Sequence, residues 1–181
     1  SSTGVLTFAS TPDYENPTDA DTDNTYIVVV TVTDSGSLTD AQTLTVTVTG
    51  VNEAPSITSN SAGSTASISF AENNTSAVTN VTSSDQDTGD TAAFSISGTD
   101  VDDFDIDSST GVLTFASTPD YENPTDADTD NTYIVIVTVT DSGSLTGTET
   151  LIVSVTGVND NHPSITSNSS ISFAENSTSA V

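Results

Sequence analysis

No lysine or arginine occurs among the 181 residues, and cysteine, methionine and tryptophan are missing as well. Against 26 aspartates and glutamates stands a single histidine, giving a formal net charge of −26. Each absence removes a class of chemistry. Without cysteine there is no disulfide and no thiol nucleophile; without lysine there is neither an isopeptide crosslink nor a Schiff base. Nothing can neutralise phosphates, so nucleic acids and anionic membrane surfaces are excluded as direct partners. No apolar run approaches the length of a membrane span. Beyond the single histidine the sequence shows no Ser/His/Asp constellation, and the paired carboxylates of a glycosidase usually also need aromatic sugar platforms, for which the chain has no tryptophan. The expectation is that the chain is not an enzyme.

The carboxylates have no ion-pair partners. Two of them about 4 Å apart repel by roughly 4 kcal/mol at an effective dielectric near 20. Any cluster in the fold must therefore be protonated or hold a metal cation, and at neutral pH the cation is the better answer.

What is present is repetition. Residues Ser1–Val28 recur letter for letter as Ser108–Val135, an offset of 107 residues (Asp120 minus Asp13). A period of that size marks tandem copies of a small domain rather than a solenoid. Val28, Val30 and Val32 alternate with Ile27, Val29 and Thr31, and Leu44, Val46 and Val48 alternate with threonines. The same pair returns at Thr132–Thr140 and Thr150–Thr156, with Asp34–Ser37 and Asp141–Ser144 as hairpin turns. Shorter strands are expected at Ala66–Ala71, Val78–Thr82, Ala92–Ser97, Phe104–Asp107 and Val112–Phe115. About seven short strands per repeat, split by turn residues and with no helical period, predict an all-β Greek-key sandwich. Its core candidates include Ile57, Ile68, Phe70, Val81, Phe94, Phe104, Val112, Leu113, Phe115, Tyr133, Val135, Val137, Val139, Leu151, Val153 and Val155. Proline-containing links at Gly50–Pro55 and Gly157–Pro163 set the expected boundaries: 1–53 the C-terminal half of a domain, 54–161 a whole domain, 162–181 the first strand or so of a third.

These links and their acidic surroundings resemble the cadherin repeat, in particular the cadherin-like modules of large bacterial surface proteins. Asn159-Asp160-Asn161-His162-Pro163 matches the second half of the family's DxNDNxP link, with Gly157 where an aspartate is usual. Ala71-Glu72-Asn73, repeated at Ala174-Glu175-Asn176, resembles the PEN motif of the first strand. Asp85-Gln86-Asp87-Thr88-Gly89 resembles the DxDxG loop, Asp13-Tyr14-Glu15 and Asp120-Tyr121-Glu122 the DxE motif, and Asp34 and Asp141 the late xDxG aspartate. In order, the motifs cover essentially the whole chain.

The resemblance implies an immunoglobulin-like, seven-stranded sandwich and Ca²⁺ bound at the junctions between consecutive domains. Carried over by motif, the first junction uses Asp13, Glu15, Asn52 and Glu53 from the upstream domain and Asp85, Asp87 and Asp141 from the downstream one. The second uses Glu72, Asp120, Glu122, Asn159, Asp160 and Asn161, while Asp34 faces the junction before the first copy. The first link departs from the pattern, with Glu53 for aspartate and Ala54 where the second asparagine would stand. Oxygen-only donors suit Ca²⁺, which takes about 6–8 of them.

A further run, Thr18-Asp19-Ala20-Asp21-Thr22-Asp23-Asn24, recurs at Thr125–Asn131 and resembles the start of a DxDxDG calcium loop, with asparagine for glycine. An extra calcium loop and a solvated acidic loop stand as equal alternatives. Asp100, Asp102, Asp103, Asp105 and Asp107 match no ligand motif and are expected as solubility charge, and His162 as a lone exposed imidazole. The expected function is an extracellular, calcium-binding array serving as the stalk or adhesive fibre of a secreted or surface-attached microbial protein. Its expected partners are neighbouring cadherin-like domains in the same or adjacent chains, with homotypic fibre contacts and surface glycans as further options. A filament subunit assembled by strand exchange and an ancillary carbohydrate-binding module of a secreted enzyme are the competing readings.

Overall fold

The computed structural model describes residues 4–167, 169, 170, 172, 175 and 176. Strands β1 (Thr25–Thr33) and β2 (Thr39–Thr47) form an antiparallel hairpin, and nine strands follow over residues 56–156. These are β3 (Ser56–Ile57), β4 (Thr65–Ala71), β5 (Thr79–Asn80), β6 (Ser83–Ser84), β7 (Ala93–Ser97), β8 (Phe104–Ile106), β9 (Val112–Phe115), β10 (Thr132–Thr140) and β11 (Thr146–Thr156), with one 3₁₀ turn at Val101–Asp103. One sheet has the order β4-β11-β10-β7, the other β5-β9-β8, and β3 pairs with β6. The pairing of β4 with β11 is parallel; the others are antiparallel. This is the expected all-β sandwich.

Period-two alternation explains why these segments are strands. Along β10, Tyr133, Val135, Val137 and Val139 are fully buried, while Ile134, Ile136, Thr138 and Thr140 face outward. Leu151, Val153 and Val155 of β11 join them from the neighbouring strand. Between the sheets, Phe115 stacks against Phe104 at 4.6 Å and meets Tyr133 edge-on at 5.1 Å, geometries that add to simple area burial. The expected core is largely the observed one; Val112 is only half-buried and outside it. Two boundaries differ. β11 begins at Thr146 because the ladder with β10 runs to the turn, and the segment expected as one strand at Val78–Thr82 breaks into β5 and β6 around Val81, whose side chain is fully buried. Beside it, Gly111 sits at φ +72° where a Cβ would collide with the Val81 carbonyl oxygen, so only glycine fits.

The first copy repeats the hairpin but not its covering. Val30 and Val32 are 44% and 66% exposed where their equivalents Val137 and Val139 are fully buried. Leu6, Phe8, Tyr26, Val28 and Val46 line an open apolar hollow of ≈ 580 Å³. The first strand expected after the second link falls partly outside the described residues, as does Ala174 of the second Ala-Glu-Asn motif.

Candidate metal centres at the two links

At both copies the DYE turn is built the same way. The Oδ1 of Asp13 accepts the backbone N–H groups of Glu15 and Asn16, and that of Asp120 accepts those of Glu122 and Asn123. These bonds hold the turn so that the glutamate two residues on projects away from it. Behind each turn stands an asparagine in the left-handed region, Asn24 at φ 64° and Asn131 at φ 67°. Its Nδ2 donates to the carbonyl of Tyr14 or Tyr121, at 2.9 and 3.0 Å. The tyrosine ring in turn packs on the link glycine: Cδ1 of Tyr14 lies 3.0 Å from a would-be Cβ on Gly50, and Cδ1 of Tyr121 lies 3.1 Å from one on Gly157. A side chain at either link glycine would press on that ring.

The first link brings carboxylates of the two copies together. Oxygens of Glu15, Glu53 and Asp87 lie within 4.8 Å of one another. The Glu53 N–H donates to Asp87 Oδ2 at 2.9 Å, and Asn52 Nδ2 donates to Asp141 Oδ2 at 2.8 Å. Asp85 and Asp87 form a second triad with Asp90, a residue that no expected motif contains. Burial raises the Glu53 carboxyl above its usual range, reinforced by the charges of Glu15, Asp87, Asp13 and Asp85. Glu53 Oε2 and Asp85 Oδ2 are both shut off from solvent without a hydrogen-bond partner.

The second link has half of such a site. Glu72, only 3% exposed, accepts the N–H of Val158 at 2.6 Å and that of Tyr121 at 2.7 Å. Those two bonds hold its carboxyl below the usual range. Glu72, Asp120 and Glu122 bring oxygens within 4.8 Å. Glu122 is raised, by burial first and then by the charges of Glu72, Asp160 and Asp120. Asp160 accepts from Asn73 Nδ2 at 2.6 Å. Asn159 and Asn161 are exposed. Asp34 is likewise exposed, and its Oδ1 accepts the N–H groups of Gly36 and Leu38 within its own turn.

The expectation of solubility charge holds for the exposed Asp102 and Asp105 but needs correction at Asp100, Asp103 and Asp107. Asp100 is 5% exposed and accepts from the N–H of Ala127 at 2.9 Å and of Ile134 at 2.6 Å. Asp103 accepts from Thr125 Oγ1 at 2.6 Å. Asp107 caps the turn at Thr110 and Ser109, whose N–H groups hold its carboxyl below the usual range. Backbone N–H donors at Asp100 and Asp107, and the Thr125 hydroxyl at Asp103, make these three carboxylates structural. Sequence motifs did not single them out because single aspartates before turns are common.

The repeated acidic loop is organised from within. Asp126, 2% exposed, accepts from the N–H groups of Asp130 and Asn131 at 2.8 and 3.2 Å. Contact with Asp126, then the charge of Asp130, raises the Asp128 carboxyl. The asparagine that ends the loop stands where a calcium loop has glycine, and it adopts the same left-handed conformation.

A family model of the cadherin domain matches residues 66–156. The chain belongs to the cadherin domain family. Among solved structures it is similar to mouse cadherin-23 EC22–24, at 20% identity over 79% of this chain and 45% of that one, with a TM-score of 0.55. It is similar to protocadherin gamma B7 extracellular cadherin domains 1–4, at 23% identity over 81% and 35%, TM-score 0.59. It is also similar to the protocadherin gammaB7 EC3–6 cis-dimer structure, at 25% identity over 81% and 36%, TM-score 0.57. The chain thus spans less than half the length of each. A search of curated proteins found no match. Cadherin domains are extracellular, adhesion-type repeats, and among the described residues no helix is long and apolar enough to cross a membrane.

Proposed function

We propose that this chain is a segment of a calcium-stiffened extracellular array on a microbial surface protein. Its copies divide at the links into 1–53, 54–161 and 162–181. The observation that carries the reading is the meeting of Glu15 and Glu53 with Asp87 across the first link in a chain without a single Lys or Arg. The donor set is all oxygen and carries orphaned, buried carboxylate atoms at Glu53 and Asp85, which fits Ca²⁺. Bound there, Ca²⁺ supplies the positive charge that the chain lacks.

The chain's own residues do the rest. Asp13 fixes the turn that presents Glu15, Asn52 ties the link to Asp141, and the Glu53 N–H ties it to Asp87. In the proposed ligand set, Asp13, Glu15, Asn52, Glu53, Asp85, Asp87 and Asp141 serve the first junction. Glu72, Asp120, Glu122, Asn159, Asp160 and Asn161 serve the second, and Asp34 the one before the first copy. Without the cation these acids repel and the link loosens; with it they lock one angle between copies. Extracellular sites bind Ca²⁺ with constants of about 10⁻⁴ to 10⁻³ M, so the brace responds to external calcium. At free calcium about 100-fold above that constant, each site adds roughly 2.7 kcal/mol to the folded state. Thermal unfolding in calcium and in chelator tests this: the midpoint rises with calcium in the parent chain and much less in Asp87→Asn. An unchanged midpoint in the parent refutes it.

A further inference from the structure

We infer that Asp90 is an additional carboxylate ligand at the first junction, one outside the family's motifs; this rests on the calcium reading above. Asp90 follows the Asp85–Gly89 loop and turns back on it, its N–H donating to the Asp87 carbonyl at 3.3 Å. The turn brings a carboxylate oxygen of Asp90 within 4.8 Å of oxygens on both Asp85 and Asp87. Oxygens bound to one Ca²⁺ at about 2.4 Å can lie no more than about 4.8 Å apart, so the three fit a single ion.

Two independent features point to an occupant beside Asp85 and Asp90. Asp85, Asp90, Asp141 and Pro55 line a cavity of ≈ 110 Å³, room for an ion with a water. Asp85 Oδ2 is sealed from solvent and has no hydrogen-bond partner. A hollow walled by three carboxylates with no cation in the chain cannot be an apolar void, and an orphaned carboxylate oxygen calls for a positive charge.

The first link also has a deficit for Asp90 to fill. Ala54 offers no side-chain oxygen where the second link has asparagine, and an ion that takes 6–8 oxygens needs the loss made up from elsewhere. Asp90 is placed to do so from the downstream copy. The competing role is a brace: Ser142 Oγ donates to Asp90 Oδ1, tying the Asp85–Asp90 loop to the turn after β10.

Calorimetric titration of the full chain with calcium chloride separates the two roles, using the parent, Asp90→Asn, Asp90→Ala and Asp87→Asn. Asp90→Asn keeps an acceptor for Ser142 but loses the charge. Loss of about tenfold in affinity for one class of ion is expected in Asp90→Asn, with the remaining ions bound as in the parent. Its thermal midpoint in chelator should equal or exceed the parent's, because one like charge has left the cluster. Asp90→Ala should lose the same affinity and also lower that midpoint. A parent-like isotherm for Asp90→Asn beside a weakened Asp87→Asn overturns the ligand role and leaves the brace. No calcium uptake by the parent overturns this inference together with the junction reading.

Discussion

Glu149 is fully buried on β11, directly across from Val137 of β10. Its Oε2 accepts from Asn60 Nδ2 at 3.2 Å, and its Oε1 has no partner. At the same offset of 107, the first copy carries Gln42, so the sister hairpin places a neutral amide there. An unpaired buried acceptor costs more than a satisfied one contributes. Glu149→Gln should therefore hold or raise the thermal midpoint in chelator, while Glu149→Ala, which removes the partner of Asn60 and leaves a cavity, should lower it; thermal denaturation of the two variants decides. The junction acids set the pH dependence. Glu53 and Glu122 have folded-state affinities for protons above those of the unfolded chain, so their contribution to stability is greatest below the ordinary carboxylate range and is lost as pH rises through their raised values. Glu72 and Asp107 are lowered, so theirs is present above that range and is lost as pH falls through their depressed values. In chelator, stability should rise as pH falls from neutrality through the raised values of Glu53 and Glu122, and fall again as it passes through the depressed values of Glu72 and Asp107. With calcium the first limb should vanish or reverse, since protons and the ion compete for the same oxygens. Denaturant titrations from neutrality down through the carboxylate range provide the check; a profile in chelator without the first rise would contradict the clustering of the acids.

Among the elements, the loop that ends in Asn131 ties the hairpin to the DYE turn. Asn131 occupies a left-handed conformation that costs most side chains about 1–2 kcal/mol, and its amide holds the Tyr121 carbonyl. Asn131→Gly keeps the conformation and loses the tie; Asn131→Ala loses both. Chemical denaturation should show alanine as the more destabilising change, by about 1 kcal/mol, with calcium binding at the Glu72 cluster weakened in each. Equal stability of the two variants would mean that the backbone conformation carries no cost there. The strands themselves were legible in the sequence because β10 and β11 alternate strictly and one face is wholly apolar. So were the links and the DYE turns, since repetition separates a motif from a chance run of acids. The carboxylates that proved structural were not legible. Asp100 is buried by a contact with Ala127 and Ile134, up to 34 residues away, and no local pattern announces such a partner. Asp90 escaped for a related reason: it joins Asp85 and Asp87 only through the turn that follows the motif. The break between β5 and β6 was hidden because Val81 reads as the next residue of an alternating strand.

For the molecule as a whole, the proposed function lies at the link rather than in the sandwich. The central copy holds its fold with a closed aromatic and aliphatic core that contains none of the proposed ligands. The acids gather at its two ends, Asp85, Asp87 and Asp141 with the first link, and Glu72, Asp120 and Glu122 with the second. On the proposed reading each copy offers ligands to both neighbours: the duplicated segment carries the Asp-x-Glu pair toward the following link, while the late aspartate that faces the preceding one, Asp34 or Asp141, lies just beyond it. On the proposed reading, a chain of −26 without Lys or Arg draws on an external cation to bring those ligands together. The most direct measurement is small-angle X-ray scattering of the full chain with millimolar calcium and with chelator. A calcium-braced junction gives a single, narrower distance distribution in calcium and a broader one in chelator, with Asp87→Asn remaining broad in both. Superimposable curves for the parent chain in calcium and chelator would contradict it.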